Sequence, residues 1–350
     1  MAETGWPHPE PPFHRGEQAI QSRIGLRDRM EQAGRRSVRD YMPDQHRTFF
    51  AQLPFLVLGA RDDAGQPWAS ILTGPPGFAA SPDPRTLRVA ALPDGGDPLH
   101  GAIAAGADVG LLGIELHTRR RNRVNGTVTA ADAGGFTVRV AQSFGNCPQY
   151  IQKREISPDA AGTGAAPATA QHLDRLDAAA RALIAGADTF FIATAFHDGE
   201  RRDDGGGGSG GTNEGVDVSH RGGRPGFVRI DDEGGDGHAV LTFPDFAGNR
   251  FFNTLGNLLL EPRAGLLFVD FATGGLLHLA GEAEIVWDGP ELAAFAGAER
   301  LVRFHVDRAI RRPGALPLHW SFREQAPQLA RTGTWEAHPT RRGATAESSS

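Results

Sequence analysis

An internal repeat dominates this 350-residue sequence and limits the folds that are open to it. Residues 106–112 read GADVGLL and residues 262–267 read PRAGLL, and in each half a second strand-like segment follows, VNGTV at 124–128 and LAGEA at 279–283. Each half also carries a short helix and an apolar strand in the same order. Short strands separated by turn signals, with only peripheral helices, are typical of small antiparallel barrels. The repeat therefore predicts two barrels in tandem.

The composition along the chain predicts five parts. Residues 1–16 are rich in proline and polar residues and indicate an arm on the surface, and SPDAAGTGAAPATA at 157–170 is typical of a linker. In order, we expect an arm and helix over 1–43, a first barrel over 44–156, the linker over 157–170, a second barrel over 171–335 and a disordered tail over 336–350.

Helical spacing predicts two helices in the second half, over 172–184 and over 291–306. Residues 198–215, DGERRDDGGGGSGGTNEG, stand where the repeat calls only for a hairpin turn. A phosphate-binding loop needs a defined glycine spacing followed by lysine and a helix, and this run has neither. We interpret it as a flexible insertion, of which residues 205–211 are dispensable for cofactor binding.

Charge and cysteine content exclude several classes of protein. The formal net charge is −6, whereas nucleic-acid binding usually leaves an excess of lysine and arginine. A single cysteine, Cys147, excludes an internal disulfide and a cysteine-cluster metal site, and nothing pairs it with a base. No stretch of 18 apolar residues and no signal-peptide core are present. We expect a cytoplasmic protein with no membrane, nucleic-acid or metal partner.

The segment from Phe243 to Leu258 is the strongest candidate for a binding site. A strand is predicted to end at Pro244 and a helix to start near Gly248 or Asn249. Asparagines at i, i+4 and i+8 share one face of such a helix, whose free N–H groups favour a phosphate. The alternative is an asparagine cap followed by a solvated helix face. The polar positions of the predicted helix are Asn249, Arg250, Asn253, Thr254 and Asn257.

Three other segments are candidates for contact with an anion or ligand. SHRGGRPGFVRI at 219–230 combines paired glycines with three arginines, although a lone histidine such as His220 is more often a surface residue. RRRNRVNG at 119–126 is the main basic patch, either a solvated strand edge or a ligand contact through one or two arginines. SFGNCPQYI at 143–151 contains Asn146 and Tyr150, which are suited to line a site.

Together with LTFPDFAGNRFFNTLGNL and PRAGLLFVDF, these segments resemble the pyridoxamine 5'-phosphate oxidase-related flavin-nucleotide-binding proteins, specifically the long branch with two split-barrel units. The similarity spans roughly residues 13–335. It implies a mainly β fold with peripheral helices, built as tandem split β-barrels, and FMN held between two barrels. The cofactor-binding residues that it implies are Arg224, Phe227, Val228 and Arg229 on a strand, and Asn249, Arg250, Asn253 and Thr254 at the helix start. The residue patterns described above add Asn257, Arg123, Asn146 and Tyr150 to the predicted cofactor-binding residues.

The chain departs from the true oxidases at two places. Phe251 follows Arg250 where those enzymes have a lysine, and their C-terminal arginine and tryptophan signature is not recognisable. The resemblance therefore implies an FMN-dependent oxidoreductase acting on an unknown small-molecule redox substrate, as a monomeric pseudo-dimer or a homodimer. Alternatives are a deazaflavin in place of FMN, or a non-catalytic flavin- or haem-binding protein. Haem would need an axial histidine, for which the candidates are His117, His220 and His278.

We further expect Arg250→Ala to impair FMN retention more than any single change in residues 119–123. The reason is the predicted position of Arg250 at a helix start, where the dipole and the free amides already favour an anion.

Overall fold

The computed structural model describes residues 5–157, 169–198, 213–233 and 238–335. Most of the predicted linker, most of the glycine-rich insertion and the predicted tail lie outside the described residues. Among the described residues, no helix has both the length and the apolar character that a membrane crossing requires.

The N-terminal segment is helical and packed into the protein. It contains α1 (Arg15–Arg23), α2 (Arg27–Ser37) and α3 (Asp44–Ala51). A capping box starts α1. The Nδ1 of His14 accepts a hydrogen bond from the Gly16 N–H, and the carboxyl of Glu17 accepts one from the His14 N–H. The prediction that residues 1–16 form an arm on the surface is wrong for the apolar side chains of Trp6 and Phe13, which are buried. Hydrophobic burial fastens this arm to the barrels.

The first half forms one seven-stranded antiparallel sheet. Its strands are β1 (Phe55–Arg61), β2 (Pro67–Thr73), β3 (Ala79–Asp83), β4 (Thr86–Val89), β5 (Asp108–Glu115), β6 (Arg120–Asp132) and β7 (Gly135–Gly145). The strand order in the sheet is β2-β1-β5-β6-β7-β4-β3. Apolar side chains from all of this sheet, together with α3, enclose a core around Trp68 and Phe136.

The second half repeats this arrangement. After β8 (Lys153–Ile156) and β9 (Gln171–Leu173) come α4 (Ala178–Gly186), β10 (Thr189–Phe196), β11 (Gly215–Gly222), β12 (Arg229–Glu233), β13 (His238–Phe246), α5 (Asn253–Leu260), β14 (Arg263–Asp270), β15 (Gly275–Val286), α6 (Pro290–Ala294), β16 (Ala298–Arg312) and β17 (Trp320–Glu324). The order β11-β10-β14-β15-β16-β13-β12 reproduces that of the first sheet strand for strand. The predicted mainly β fold with peripheral helices is confirmed.

Two predicted helices of the second half need correction. The helix predicted over 291–306 is wrong, because the chain forms only the short α6 and then the long strand β16. Alternating buried apolar residues at Val302, Phe304 and Val306 have the period of a strand, and helical spacing does not fit them. The helix predicted over 172–184 starts later, at Ala178, where Asp177 caps it, and β9 precedes it.

The two barrels pack against each other with approximate two-fold symmetry. A side chain at Gly110 of β5 would lie 2.6 Å from the carbonyl oxygen of Val216, and one at Gly265 of β14 would lie 2.4 Å from that of Pro67. These two contacts are equivalent under the strand correspondence. A shared apolar core, with Val57 of the first barrel and Phe191 of the second among its residues, fills the interface. The absence of a Cβ at both glycines lets the barrels approach this closely.

Candidate functional site

A cavity of about 110 Å³ lies between the two barrels. Its walls come from β6 and the segment after β7 on one side, and from β11, the end of β13 and the start of α5 on the other. The polar residues that line it are Arg121, Arg123, Asn146, Gln149, Tyr150, Ser219, His220, Arg221, Asp245, Asn249, Arg250, Asn253 and Thr254. Of the twelve predicted site residues, seven line this cavity.

Arg121 provides a positive charge that no carboxylate neutralises within the described ranges. Its Nε donates to the carbonyl of Cys147 at 2.8 Å, and no ion pair accompanies that hydrogen bond. Burial, reinforced by repulsion from Arg123 and Arg221, lowers the pKa of Arg121 to about 9. The pKa is lowered because burying the charged guanidinium costs free energy, and an anion bound in the cavity would offset that cost.

The cationic Arg221 and the neutral His220, consecutive on β11, line the cavity beside Arg121. Arg221 hydrogen-bonds the carbonyl of His220 and lies 3.8 Å from Asp245, and burial lowers its pKa despite that carboxylate. His220 is buried, and its Nε2 has no hydrogen-bond partner in the described part of the chain. Burial, then Arg121 and Arg221, hold the pKa of His220 well below its ordinary value, so the imidazole is neutral.

Arg123 joins the two barrels across the cavity floor. It donates to Asp217 at 2.7 Å and to the hydroxyl of Ser219, both on β11. Asn125 of β6 and Asn257 of α5 donate to the same carboxylate, at 2.7 and 3.1 Å. Asp217 therefore accepts hydrogen bonds from three side chains. Among the arginines at 119–123, and within the described residues, Arg123 is the one whose charge is compensated by a buried ion pair.

The charges around the cavity do not balance. Five arginines line it or pair with its lining, namely Arg121, Arg123, Arg221, Arg250 and Arg300, against the three carboxylates Asp217, Asp245 and Glu299. A fourth acid, Glu17, contacts Asn253, but burial and the nearby Asp217 raise its pKa well above the ordinary value. The site carries an excess of two positive charges, which suits a phosphate dianion.

The loop before α5 differs from the predicted helix start. α5 begins at Asn253, so the start predicted near Gly248 or Asn249 is wrong. The Oδ1 of Asn249 accepts a hydrogen bond from the Phe251 N–H at 3.1 Å, and both Arg250 and Phe252 adopt left-handed backbone conformations. An asparagine turn of this kind competes with helix formation. The three asparagines therefore do not share one helix face.

Arg250 is paired with a protein carboxylate. Its two terminal nitrogens donate to the two oxygens of Glu299 at 2.5 and 2.6 Å. This bidentate pair neutralises the guanidinium within the protein. Arg250 lines the cavity but offers an anion less than the unpaired Arg121 does.

Asn253, Thr254 and Asn257 of α5 take separate roles. Asn253 donates to the carboxyl of Glu17, Thr254 donates to Ser219 at 3.0 Å, and Asn257 is buried below the cavity. Asn253 and Thr254 line the cavity, whereas Asn257 stabilises Asp217 from behind.

The strand residues carried over from the resemblance lie outside the cavity lining. Phe227 and Val228 belong to the core of the second barrel. Arg224 donates to the Leu329 carbonyl, and Arg229 pairs with Asp231 and Glu291. That these four contact a cofactor stays a prediction, and their present partners are all protein groups.

Two predicted site residues from the first half, Asn146 and Tyr150, line the cavity. The Nδ2 of Asn146 is buried at the wall without a described partner. Tyr150 has a left-handed backbone, and its hydroxyl donates to the Ala247 carbonyl at 3.1 Å. Tyr150 and Gln149 also border a second cavity of about 490 Å³, which is otherwise lined by Ala247, Gly297, Pro327, Gln328, Arg331 and Thr332.

Arg121, His220 and Arg221 line the cavity but are not among the twelve predicted site residues. The signal was present in the period of two along each strand. Arg121 and Arg123 are two positions apart and lie on the same side of β6. In the structure, β11 packs closely against the first half at Gly222, where a Cβ would lie 2.0 Å from the Tyr150 carbonyl oxygen.

The fold and this cavity define a split-barrel protein with a cationic pocket between two barrels of one chain. Residues 42–174 match the family model described as pyridoxamine 5'-phosphate oxidase, which confirms the resemblance inferred from the motifs. Over these residues the chain is similar to the pyridoxamine 5'-phosphate oxidase family. A search of curated proteins found no match.

Solved structures with a similar chain path include HupZ from Group A Streptococcus, with 17% identity, 37% of this chain and 86% of that chain covered, and a TM-score of 0.25. HutZ from Vibrio cholerae, described as a heme storage protein, has 12% identity, coverage of 38% and 90%, and a TM-score of 0.23. At these TM-scores the likeness carries no argument about the ligand of this chain.

Proposed function

We propose that this protein binds FMN in the cavity between its barrels, with the phosphate against Arg121, Arg221 and His220. The observation that carries this proposal is the excess of positive charge at the cavity: Arg121 has no carboxylate partner in the described ranges, and Arg221 shares Asp245 with Arg300. A buried cation without a counter-ion is costly, and a bound phosphate offsets that cost.

The residues present fit a phosphate and its polar chain. Buried donors or acceptors without described partners face the site at His220, Asn146 and Arg123. Phe246, Phe252 and Leu255 supply apolar walls. The cavity of about 110 Å³ would hold the phosphate end of a nucleotide, and the second cavity, which shares Gln149 and Tyr150 with the first, would offer room for the remainder.

As an extension of this proposal, the protein is an oxidoreductase acting on a small-molecule substrate. FMN, when bound, supplies hydride and electron transfer. The chain would bind and orient the cofactor through the cationic wall, and the packed barrels would exclude water. Neutral His220 would donate or accept a hydrogen bond through its imidazole Nε2 without adding charge to the site.

A haem-binding function is the second candidate, because one observation favours it. His220 is neutral and its Nε2 is free of described partners, as an axial ligand requires. The other two candidate histidines are placed differently, since His278 is buried with its Nδ1 donating to the Ala69 carbonyl and His117 lies in an exposed turn. A deazaflavin would use the same phosphate contacts as FMN.

The absorption spectrum of the full-length protein separates these candidates. We expect a flavin spectrum after incubation with FMN and gel filtration, and mass spectrometry of the ligand released by denaturation should identify FMN. A Soret band that disappears in His220→Ala would instead establish haem. Retention of neither chromophore would contradict the proposal.

A further inference from the structure

The two sheets have the same strand order, so the interface contains a second position that is equivalent to the cavity. The residues at this second position can be compared one by one with those of the cavity. Gly110 and Gly265 are equivalent, since each packs against a backbone carbonyl of the other barrel. From Leu111, next to Gly110, the pairing runs through Leu58 of β1 to Ser70 of β2. From Leu266, next to Gly265, it runs in the same way through Ile192 of β10 to Ser219 of β11. Ser70 therefore occupies the place of Ser219.

The remaining correspondences follow from the same strand registers. The equivalent pairs, with the residue of the cavity named first, are Ser219 and Ser70, His220 and Ile71, Arg221 and Leu72, Arg121 and Leu276, Arg123 and His278, and Asn146 and Arg312.

The second position has lost the cationic wall. Where the cavity has Arg121, His220 and Arg221, the second position has leucine, isoleucine and leucine, and all three are buried in the apolar interface or core. His278, in place of Arg123, is fully buried, and burial lowers its pKa. Within the part of the chain that the structure describes, no arginine without a carboxylate partner lies at this position to attract an anion.

The one arginine at the second position is already neutralised by the protein. Arg312 donates to Asp97 at 2.8 Å and also pairs with Asp94. The hydroxyl of Ser70 donates to the same carboxylate of Asp97. Arg312, Asp97 and Ser70 are all buried, so two carboxylates of the chain stand where an external anion would bind.

We infer that the chain holds one open and one closed anion site, and therefore binds one phosphate-bearing ligand per chain. This inference rests on the proposed function for the identity of the ligand, but the count itself depends only on the charges. A symmetric assembly of two such barrels would offer two equivalent sites. In this chain a single site is formed instead, to which the first barrel contributes β6 and the second barrel contributes β11.

Equilibrium dialysis of the full-length protein against FMN tests the count. We expect saturation at one FMN per chain, and saturation at two would overturn the inference while leaving the proposed function intact. Dialysis against radiolabelled inorganic phosphate is the second arm. One bound phosphate without FMN binding would contradict only the proposed function, and absence of both ligands would contradict both.

A matched pair of variants assigns the site. Arg121→Leu installs the residue found at the closed position, and we expect at least about a tenfold loss of phosphate affinity. Arg308→Leu removes another arginine of the barrel interface, one that contacts Asp62, and should leave affinity and count unchanged. Circular dichroism checks that both variants fold. Unchanged binding in folded Arg121→Leu, or loss of binding in folded Arg308→Leu, would overturn the assignment.

Discussion

At the scale of single residues, the site is defined by which charges lack a partner rather than by how many charges are present. Arg250 and Arg121 line the same cavity, but Arg250 contacts both oxygens of Glu299, whereas the partner of Arg121 among the described residues is a backbone carbonyl. A guanidinium already in a bidentate ion pair gains little from a further anion, whereas an unpaired one gains a charge-assisted contact.

The first prediction follows from this difference. Arg121→Gln should weaken FMN binding by about ten- to a hundredfold, the loss of one charge-assisted contact of about 1.5–3 kcal/mol. Arg250→Gln should weaken it by less than about threefold, because Glu299 remains paired with Arg300. Fluorescence titration of the deflavinated proteins measures both. A larger loss in Arg250→Gln would instead support the expectation drawn from the sequence.

The sequence was informative about residue types at the site and less so about their partners. The asparagine-rich segment and the arginine patch were found from their composition and spacing, and seven of the predicted residues line the cavity. The pairing of Arg250 with Glu299 is a contact across 49 positions of the chain that no local pattern contains. An ion pair between a loop and a distant strand depends on how the two segments pack, which the sequence determines only through the whole fold.

At the scale of elements, the N-terminal helix is fastened to the site through a buried acid. A side chain at Gly16 of α1 would lie 2.1 Å from the Gly256 carbonyl oxygen of α5, so the two helices are in close contact. Glu17 is 2% exposed, accepts a hydrogen bond from the His14 N–H and also accepts one from Asn253. Burial raises its pKa well above the ordinary value, so this carboxyl is protonated where an exposed one would be ionised.

The second prediction is a pH dependence of stability that Glu17→Gln removes. Above the ordinary pKa the unfolded chain releases the proton while the folded chain keeps it, so ionisation favours unfolding. The wild-type free energy of unfolding should therefore fall relative to Glu17→Gln by about 1.4 kcal/mol per pH unit, from the ordinary pKa up to the raised one. Urea titrations of the two cofactor-free proteins at pH 5, 6, 7 and 8 measure this difference. A pH-independent difference would be evidence against a raised pKa.

Element types were predicted best where one periodicity is unambiguous. The apolar runs of β1 and β10 were recognised directly, since a short continuous apolar run bounded by turn signals is typical of a buried strand. The helix predicted over 291–306 begins in a true helical turn, α6, but the alternation of charged and apolar side chains in β16 is typical of a strand. Pairing with β13 and β15 on its two sides, a long-range interaction, decides the conformation of this segment.

At the scale of the whole molecule, the repeat read from the sequence corresponds to two sheets of identical strand order that share an apolar interface. The symmetry is preserved where the barrels touch and lost where the ligand is proposed to bind. Gly110 and Gly265 keep equivalent backbone contacts, while the arginines of the cavity are replaced at the second position. Packing constrains both halves of the interface equally, whereas a binding site needs its charges only once.

The last prediction is that Gly110→Ala and Gly265→Ala destabilise the protein to a similar extent. Each new methyl group would overlap a backbone carbonyl of the other barrel, at 2.6 and 2.4 Å, and overpacking of this kind costs about 1–3 kcal/mol. Gly186→Ala, at the end of α4 with open space around its Cβ, is the control and should be neutral or slightly stabilising. Urea unfolding of the three variants gives the comparison. If either interface variant were as stable as Gly186→Ala, the close approach of the two barrels at that glycine would be refuted, because a backbone carbonyl cannot move aside as the end of a flexible side chain can.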